Sequence, residues 1–574
     1  MKPKVYKSKY QDITKLEGDL LESGYEKQGN TMKVHDEMVE LSFFLESHPK
    51  GLPNWIVELV SLFSIEKEID INANQYNAIV VISTEKSIYL VPQGYGFWAA
   101  EKLADLNFGM DFAERALKEE NISVKAVSYI QRNKMRGVTN YKKGQNEFPQ
   151  ASESFLSVSG IPTHERVYGK NIDCGLGVDF SKNYKLDSKD PTVKQNSLLA
   201  FCRLFNEIDI TNDLKKNSSI PRLQKLKKSS PLHRELNDEL LRIIQSDSYE
   251  AELMIDINRI QLIGNKLEIM ISSDKLSVYI DKGEKIKQQT KQFIELDESE
   301  IKKYIKTNSS VIKSLDDVKF ELYDEADEII SKNAKFSQII HCEVEYKGTV
   351  YLLQNGYWGY LNDKFFELLH KKISEINEIV HFNDEFNIQY ISADKGELCG
   401  EGGYIEEVCK KKDSIKLHKR NVNVSGLGVE IADIYSKSKD ELFAIKRGTK
   451  TGLAIYSFEQ TILSMQALAN RKSFNVFNEL VKYNDSSKYD SEKYPHISEE
   501  LVKKIVESKK ISVLWLIEDS PKFAKEGVAK KRIDLNDFTS ILLKLKIVDW
   551  YSFSRECGYD PKLYFALDKP TLNP

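Results

Sequence analysis

The spacing of apolar positions changes period several times along the chain. Residues 53–65 place apolar side chains at helical intervals, which predicts an amphipathic helix. Ala78 to Ser83 and Ser87 to Val91 are short β-branched runs joined by Thr84-Glu85-Lys86, which predicts a hairpin. It leaves through Gln93-Gly94-Tyr95-Gly96-Phe97-Trp98 into a helix predicted to reach Leu106. A second pair of runs, Cys342 to Tyr346 and Thr349 to Gln354, flanks Lys347-Gly348. It leaves through Asn355-Gly356-Tyr357-Trp358-Gly359-Tyr360 into a helix predicted over 363–379. The shared exit pattern reads as an internal structural repeat, or as two unrelated hairpins with glycine at sharp exits. The exit aromatics read as packing plugs or as stacking surfaces for bases.

Between the hairpins, Leu214 to Arg234 holds seven Lys or Arg and no acid. Ser230-Pro231 then supplies a cap and a first-turn proline for a helix. Residues 256–278 are strand-rich, and 297–319 are helical or linker-like. Further on, the pattern predicts a helix over Gly403–Lys411, a strand over Gly428–Tyr435 and a polar turn over Ser436–Asp440. A strand over Leu442–Arg447 and a helix over Ile455–Leu468 follow. The expected fold class is mixed α/β (α+β) and multi-domain, built of hairpin-plus-helix units. Expected boundaries give 1–190, a basic middle region 191–320, and 321–574 with a candidate core at 400–470.

Composition narrows the class. A chain of 574 residues exceeds one ordinary core, and 41% hydrophobic content excludes wholesale disorder. Basic and acidic residues number 83 and 87, so any nucleic-acid-binding surface must be local. The six cysteines form no C-x-x-C pair, which argues against a zinc ribbon and for reduced thiols in the cytoplasm. No apolar leader and no run of about 18 apolar residues appears, so no membrane span is expected.

Several segments resemble a bacterial family of unknown function described as sporadically distributed proteins. They are Gln93 to Gly96, Asn107 to Met110 with Arg115 and Leu117, Gln145, Phe155 to Pro162, and Gly169 to Ile172. In the second half they are Leu353 to Trp358, Glu430-Ile431-Ala432-Asp433, Ile445-Lys446-Arg447 and Gln460. The resemblance implies an association with mobile elements and defence islands, and little established chemistry. The chain departs from the family pattern at Ala444 and at Ala454 to Phe458, where histidines are expected.

The segment 400–470 also weakly resembles a PD-(D/E)XK, restriction-endonuclease-like core: a helix carboxylate, a strand Asp, a hairpin, a strand Lys and a helix Gln, in that order. Phosphodiester hydrolysis needs a hard cation held by carboxylates, and a lysine to steady developing charge. The expected catalytic set is Asp433, Lys446, Glu430, Glu401 and Gln460, with Mg²⁺ on Asp433, Glu401 or Glu407. Three problems accompany this expectation. Ala444 stands where the second acid belongs, with Glu441 or a helix Glu as substitutes. Glu430 and Asp433 share a face only if their strand bends or bulges. Asp433 and Lys446 are also explained by a surface ion pair across a hairpin.

Cationic positions expected to meet nucleic acid, most simply DNA, are Lys225, Lys227, Lys228, Arg234, Lys419, Arg420, Arg447 and Lys450. Each basic run also reads as a solvated face. The nine histidines are dispersed, and Cys399, Cys409 and His418 fit no standard metal spacing. The functional expectation is a metal-dependent nuclease, or a degenerate nucleic-acid-binding relative, acting against phage or mobile DNA. The alternative is a non-enzymatic sensor or scaffold of a defence system that binds a phage protein or a nucleic acid, with an oligomer as one arrangement.

Overall fold

The structure, a computed structural model, describes residues 3–34, 39–49, 74–117, 122–129, 135–137, 153–163, 171–182, 191–217, 220–246, 253–255, 259–263, 266–270, 275–281, 292–295, 298–323, 329–354, 356–392, 400–424, 427–447, 451–469, 475–517 and 532–572. The predicted helix at 53–65, Gln145, Asn355, Cys399 and Lys450 lie outside these residues. Several separate sheets with helices on their faces make a mixed α+β, multi-domain architecture. Among the described residues no helix is long and apolar enough to cross a membrane.

The first predicted hairpin sits inside a ten-stranded antiparallel sheet, with Val80 opposite Val91. Gly96 packs against the Ala78 carbonyl so closely that no Cβ fits, which is why the exit needs glycine. A helix over Phe97–Leu103 follows, and then α1 over Phe108–Ala116.

A five-stranded sheet comes next and draws strands from both sides of residue 320. Its edge strand β1, Leu223–Lys225, leads through the cap Ser230 into α2, Pro231–Gln245, where Ser230 Oγ accepts the His233 N–H at 3.2 Å. The second hairpin turns through Lys347 and Gly348, both at positive φ (51° and 78°), the pair of angles a two-residue hairpin turn requires. It runs into a further strand, β2 over Tyr357–Leu361, before its helix, whereas the first hairpin passes directly into a helical turn. The exit aromatics also differ: Trp358 is fully buried, while Tyr95 is 56% exposed. Cys342 is equally buried, and burial pushes its thiol well above the usual range.

The C-terminal elements are β3 (Val380–Phe382), α3 (Gly400–Lys411), β4 (Ser414–Lys416), β5 (Asn421–Val424), β6 (Leu427–Glu430), β7 (Ile434–Ser436), β8 (Glu441–Arg447), α4 (Thr451–Ala469), β9 (Lys510–Ile517), α5 (Ile541–Glu556) and β10 (Asp560–Leu567). One six-stranded sheet has the order β3-β10-β9-β8-β7-β4. Strands β4, β7 and β8 pair antiparallel, and β9 lies parallel to β8. Alternate residues of β8 feed two layers, as strand geometry dictates. Leu442 joins Phe458, Met465 and Trp550 of α4 and α5, while Phe443 and Ile445 join Tyr404, Ile405 and Val408 of α3.

Two expectations are corrected. The continuous strand expected over Gly428–Tyr435 is broken: β6 pairs with β5 in its own ribbon, β7 joins the large sheet, and residues 431–433 bend between them. Ile431 and Ala432 are buried there, so the chain turns to sink them into the core. The helix expected from Gly403 begins at Gly400, which puts Glu401 in its first turn, where an acid suits the helix dipole.

Candidate functional site: a histidine between two acids

A turn and a bend make the site. After β4, the turn Leu417–Arg420 closes with Arg420 N–H on the Leu417 carbonyl, and Lys419 takes the left-handed conformation (φ 64°). The N–H groups of Leu417 and His418 both donate to the Asp433 carbonyl, at 2.8 and 2.9 Å. That double anchor sets the His418 ring beside the bend. There His418 Nδ1 lies 2.7 Å from Asp433 Oδ1 and 3.1 Å from Glu430 Oε1. The bend between β6 and β7 therefore does what a straight strand would forbid: it brings Glu430 and Asp433 to one point.

Each acid is held from behind. Asp433, 2% exposed, accepts the Ile445 N–H of β8 on its other oxygen at 2.7 Å. The other oxygen of Glu430 accepts Gln460 Nε2 of α4 at 2.9 Å, and its carbonyl accepts the Ser464 hydroxyl at 2.7 Å. Lys446 Nζ, next along β8, donates to Glu401 Oε1 of α3 at 3.4 Å. Asp433 and Lys446 thus take different partners, and the hairpin ion pair expected between them is not formed.

Electrostatics follows from burial and from the shared imidazole. Burial disfavours the charged His418 ring, but its hydrogen bonds to Asp433 and Glu430 win and raise its pKa to about 9. Burial pushes the Asp433 carboxyl up. Burial works in the same direction on Glu430, but His418 and the Lys419 N–H outweigh it and hold that carboxyl low. Glu401 is pushed up by burial, against the pull of Lys446.

The ligand atoms of His418, Glu430 and Asp433 all lie within 4.8 Å of one another. A divalent cation replacing the imidazole proton would meet one nitrogen and two carboxylate oxygens. Among the described residues this is the one cluster of His, Cys, Asp and Glu with that closeness. The residues fit a metal by donor type and spacing.

The expected site residues divide cleanly. Asp433, Glu430 and Gln460 converge through His418 and Glu430, and Lys446 pairs with Glu401, whose carboxyl feels the charges of Asp433 and His418. Glu407 does not join them: it pairs with Lys410 (2.9 Å) and Lys411 (3.5 Å) on another part of α3. Glu441 is buried at the far end of β8 against Ser512 and cannot replace the missing acid. Cys409 does not meet His418 in a metal group, and burial raises its thiol to about 11.

The expected nucleic-acid cations are scattered. Arg420 is corrected outright: it is 1% exposed, donates to the Pro495 carbonyl and packs over Tyr483 and Tyr494, so it faces the interior. Arg447 pairs with Asp568, and Lys227 pairs with Asp105. Lys419 is exposed beside the site and Arg234 is exposed on α2. Lys225 and Lys228 sit together over Tyr357. Sequence reading weighed His418 only with Cys399 and Cys409 and set it aside, and so did not join it to the acids. Its only signal is its place at the end of a strand preceding the acids, since 12 and 15 residues separate it from Glu430 and Asp433.

The chain matches a family of unknown function, DUF6119, over residues 4–525 and belongs to it. Neither the curated proteins nor the solved structures contain a match to the chain.

Proposed function

We propose that this member of the family is a metal-dependent phosphodiesterase that cleaves nucleic acid. The observation that carries the reading is the single imidazole nitrogen set between two acids, at 2.7 and 3.1 Å. His418, Glu430 and Asp433 would hold the ion. When bound, it supplies Lewis acidity and an acidified water for phosphodiester hydrolysis. Lys446 provides the cation that steadies charge developing on phosphate, and Glu401 orients it. Gln460 fixes the second oxygen of Glu430, so that the first faces His418.

The order α3, β4, β7, β8, α4, β9, with β9 parallel to β8, supports the resemblance to a restriction-endonuclease-like core. Lys446 lies on β8, a strand as that resemblance expects, whereas Asp433 stands in the bend before β7 and on no strand. The acid missing at Ala444 is compensated by His418, which brings a nitrogen donor. One imidazole with two carboxylates suits Mn²⁺ or Zn²⁺ better than Mg²⁺, which prefers an all-oxygen shell. A cytoplasmic role against phage or mobile DNA rests on the family resemblance.

A second reading has its own observation. The His418 proton already satisfies both acids, so the group also closes as a metal-free charge network inside a sensor or scaffold. Titration with Mn²⁺, followed by electron paramagnetic resonance, separates the two. The phosphodiesterase reading predicts one tight ion per chain, lost in His418→Ala and Asp433→Asn and kept in Lys446→Met. Metal-dependent cleavage of plasmid DNA, single-stranded DNA or RNA should fall on the order of a hundredfold in Lys446→Met. No bound ion in the folded wild type favours the scaffold.

A further inference from the structure

The sheet that carries the His418 group presents most of its strand ends at one edge. Strands β3, β10, β9 and β8 run parallel, and β4 runs with them because β4 and β8 both lie antiparallel to β7. Ligands of such sheets collect outside the carboxyl ends of the parallel strands. At that edge β4 leaves through His418 and Lys419, and β7 enters from Asp433. There too β8 ends in Lys446 and Arg447, and β10 leaves into Asp568. Glu401, in the first turn of α3, meets the same edge through Lys446.

Two cationic side chains flank the His418 group without belonging to it. Lys419 follows His418 directly and is exposed, and among the described residues its ammonium meets no acceptor. Its backbone is fixed: the N–H donates to Glu430 Oε1, and φ is 64°. Arg447 lies two residues past Ile445, whose N–H holds Asp433, and so on the same face of β8. Arg447 Nε donates to Asp568, whose side chain is fully buried. The guanidinium lies 5.8 Å from the centre of the Tyr390 ring, and the Tyr390 hydroxyl donates to the same Asp568 at 2.7 Å. This clamp fixes Arg447 and still leaves 31% of its side chain exposed. The other cations of the edge are answered, Lys416 by Glu406 at 3.1 Å and Lys446 by Glu401 at 3.4 Å.

Spacing and charge say what such an edge suits. From β4 to β8 is two strand spacings, roughly 10 Å. That is about the rise of three stacked nucleotides, at ~3.4 Å each. A phosphate at the His418 group would have one neighbour towards Lys419 and the other towards Arg447. Without an ion, the pairs Lys446–Glu401 and Arg447–Asp568 cancel, and the acids at His418 offset Lys419. A divalent ion on those acids leaves the edge positive, and a positive edge draws a polyanion.

On the phosphodiesterase reading, which this inference rests on, we propose that the site takes a polynucleotide strand laid along this edge, with the phosphates on either side of the scissile one on Lys419 and Arg447, and that the strand binds after the ion. Asp568 is then a positioning residue, acting through Arg447. A mononucleotide reaches one of the two cations at most, so the site favours strands over small phosphates.

Fluorescence anisotropy with the full chain tests this. The probes are short single-stranded DNA and RNA with phosphorothioate linkages that resist cleavage, and thymidine monophosphate as competitor. With Mn²⁺ bound, wild type should hold at least one strand more tightly than the mononucleotide, and more tightly than the same strand in EDTA. Arg447→Gln and Lys419→Gln should each weaken the strand about tenfold and lower the slope of log affinity against log salt by about 0.7, a change that lost packing alone does not make. Arg447→Lys should recover most of that slope. Lys419 is exposed, so Lys419→Gln decides the matter if Arg447→Gln does not fold. A wild type that holds no Mn²⁺ fails the phosphodiesterase reading, and this inference with it. A wild type that holds Mn²⁺ overturns this inference alone if it binds the mononucleotide as tightly as the strands, if it binds strands equally in EDTA, or if its folded variants match it in affinity and salt slope.

Discussion

His418 organises its surroundings through one nitrogen, and the consequences can be read residue by residue. Asp433→Ala would leave the Ile445 N–H without its acceptor and the His418 ring with Glu430 alone, in a nearly dry place. Breaking a buried charged contact costs about 3–5 kcal/mol, so urea denaturation of metal-free protein should show a loss of that order. Lys419→Gly should behave oppositely. The native φ of 64° strains lysine and suits glycine, so stability should stay within about 1 kcal/mol of wild type and Mn²⁺ binding should survive. At this scale the sequence was partly legible. Asp433, Lys446 and Gln460 follow a recognisable order, because residues on successive elements keep that order in the chain. His418 follows none, because a left-handed lysine and a doubly accepting carbonyl position it, and neither leaves a mark in local composition.

Elements were legible where a local rule governs them. Ser230-Pro231 announced α2, and the cap forms as expected, so Ser230→Ala should lower stability by about 1 kcal/mol in thermal or chemical denaturation. Lys347-Gly348 announced a tight turn, and both residues take the positive φ it needs. The run Gly428–Tyr435 misled, because alternation and β-branching cannot reveal that one stretch serves two sheets. The break is what the site uses: it releases Glu430 and Asp433 from the strand rule that would set them on opposite faces. A proline at Ile445 would remove the N–H that holds Asp433 and a ladder position inside β8. Ile445→Pro should therefore lose Mn²⁺ binding together with secondary structure, whereas Ile445→Val should keep both.

For the whole molecule, the fold class followed from alternating runs of strand and helix pattern, but pairing did not. Nothing local tells that β1 pairs with β2 some 130 residues later, or that β9 and β10 complete the sheet begun by β3. Those contacts are set by which buried faces match: Trp358 closes one core, and Trp515 and Trp550 another. Family membership fixes kinship and leaves the chemistry to the site. The central claim is that the acids gathered by His418 form a hydrolytic metal centre. Its most direct test is cleavage of plasmid DNA, single-stranded DNA and RNA with Mn²⁺, by wild type and by His418→Ala shown to be folded. The account predicts Mn²⁺-dependent cleavage of at least one substrate by wild type and none by the variant. Equal cleavage by both, or none by a wild type that binds Mn²⁺, would contradict it.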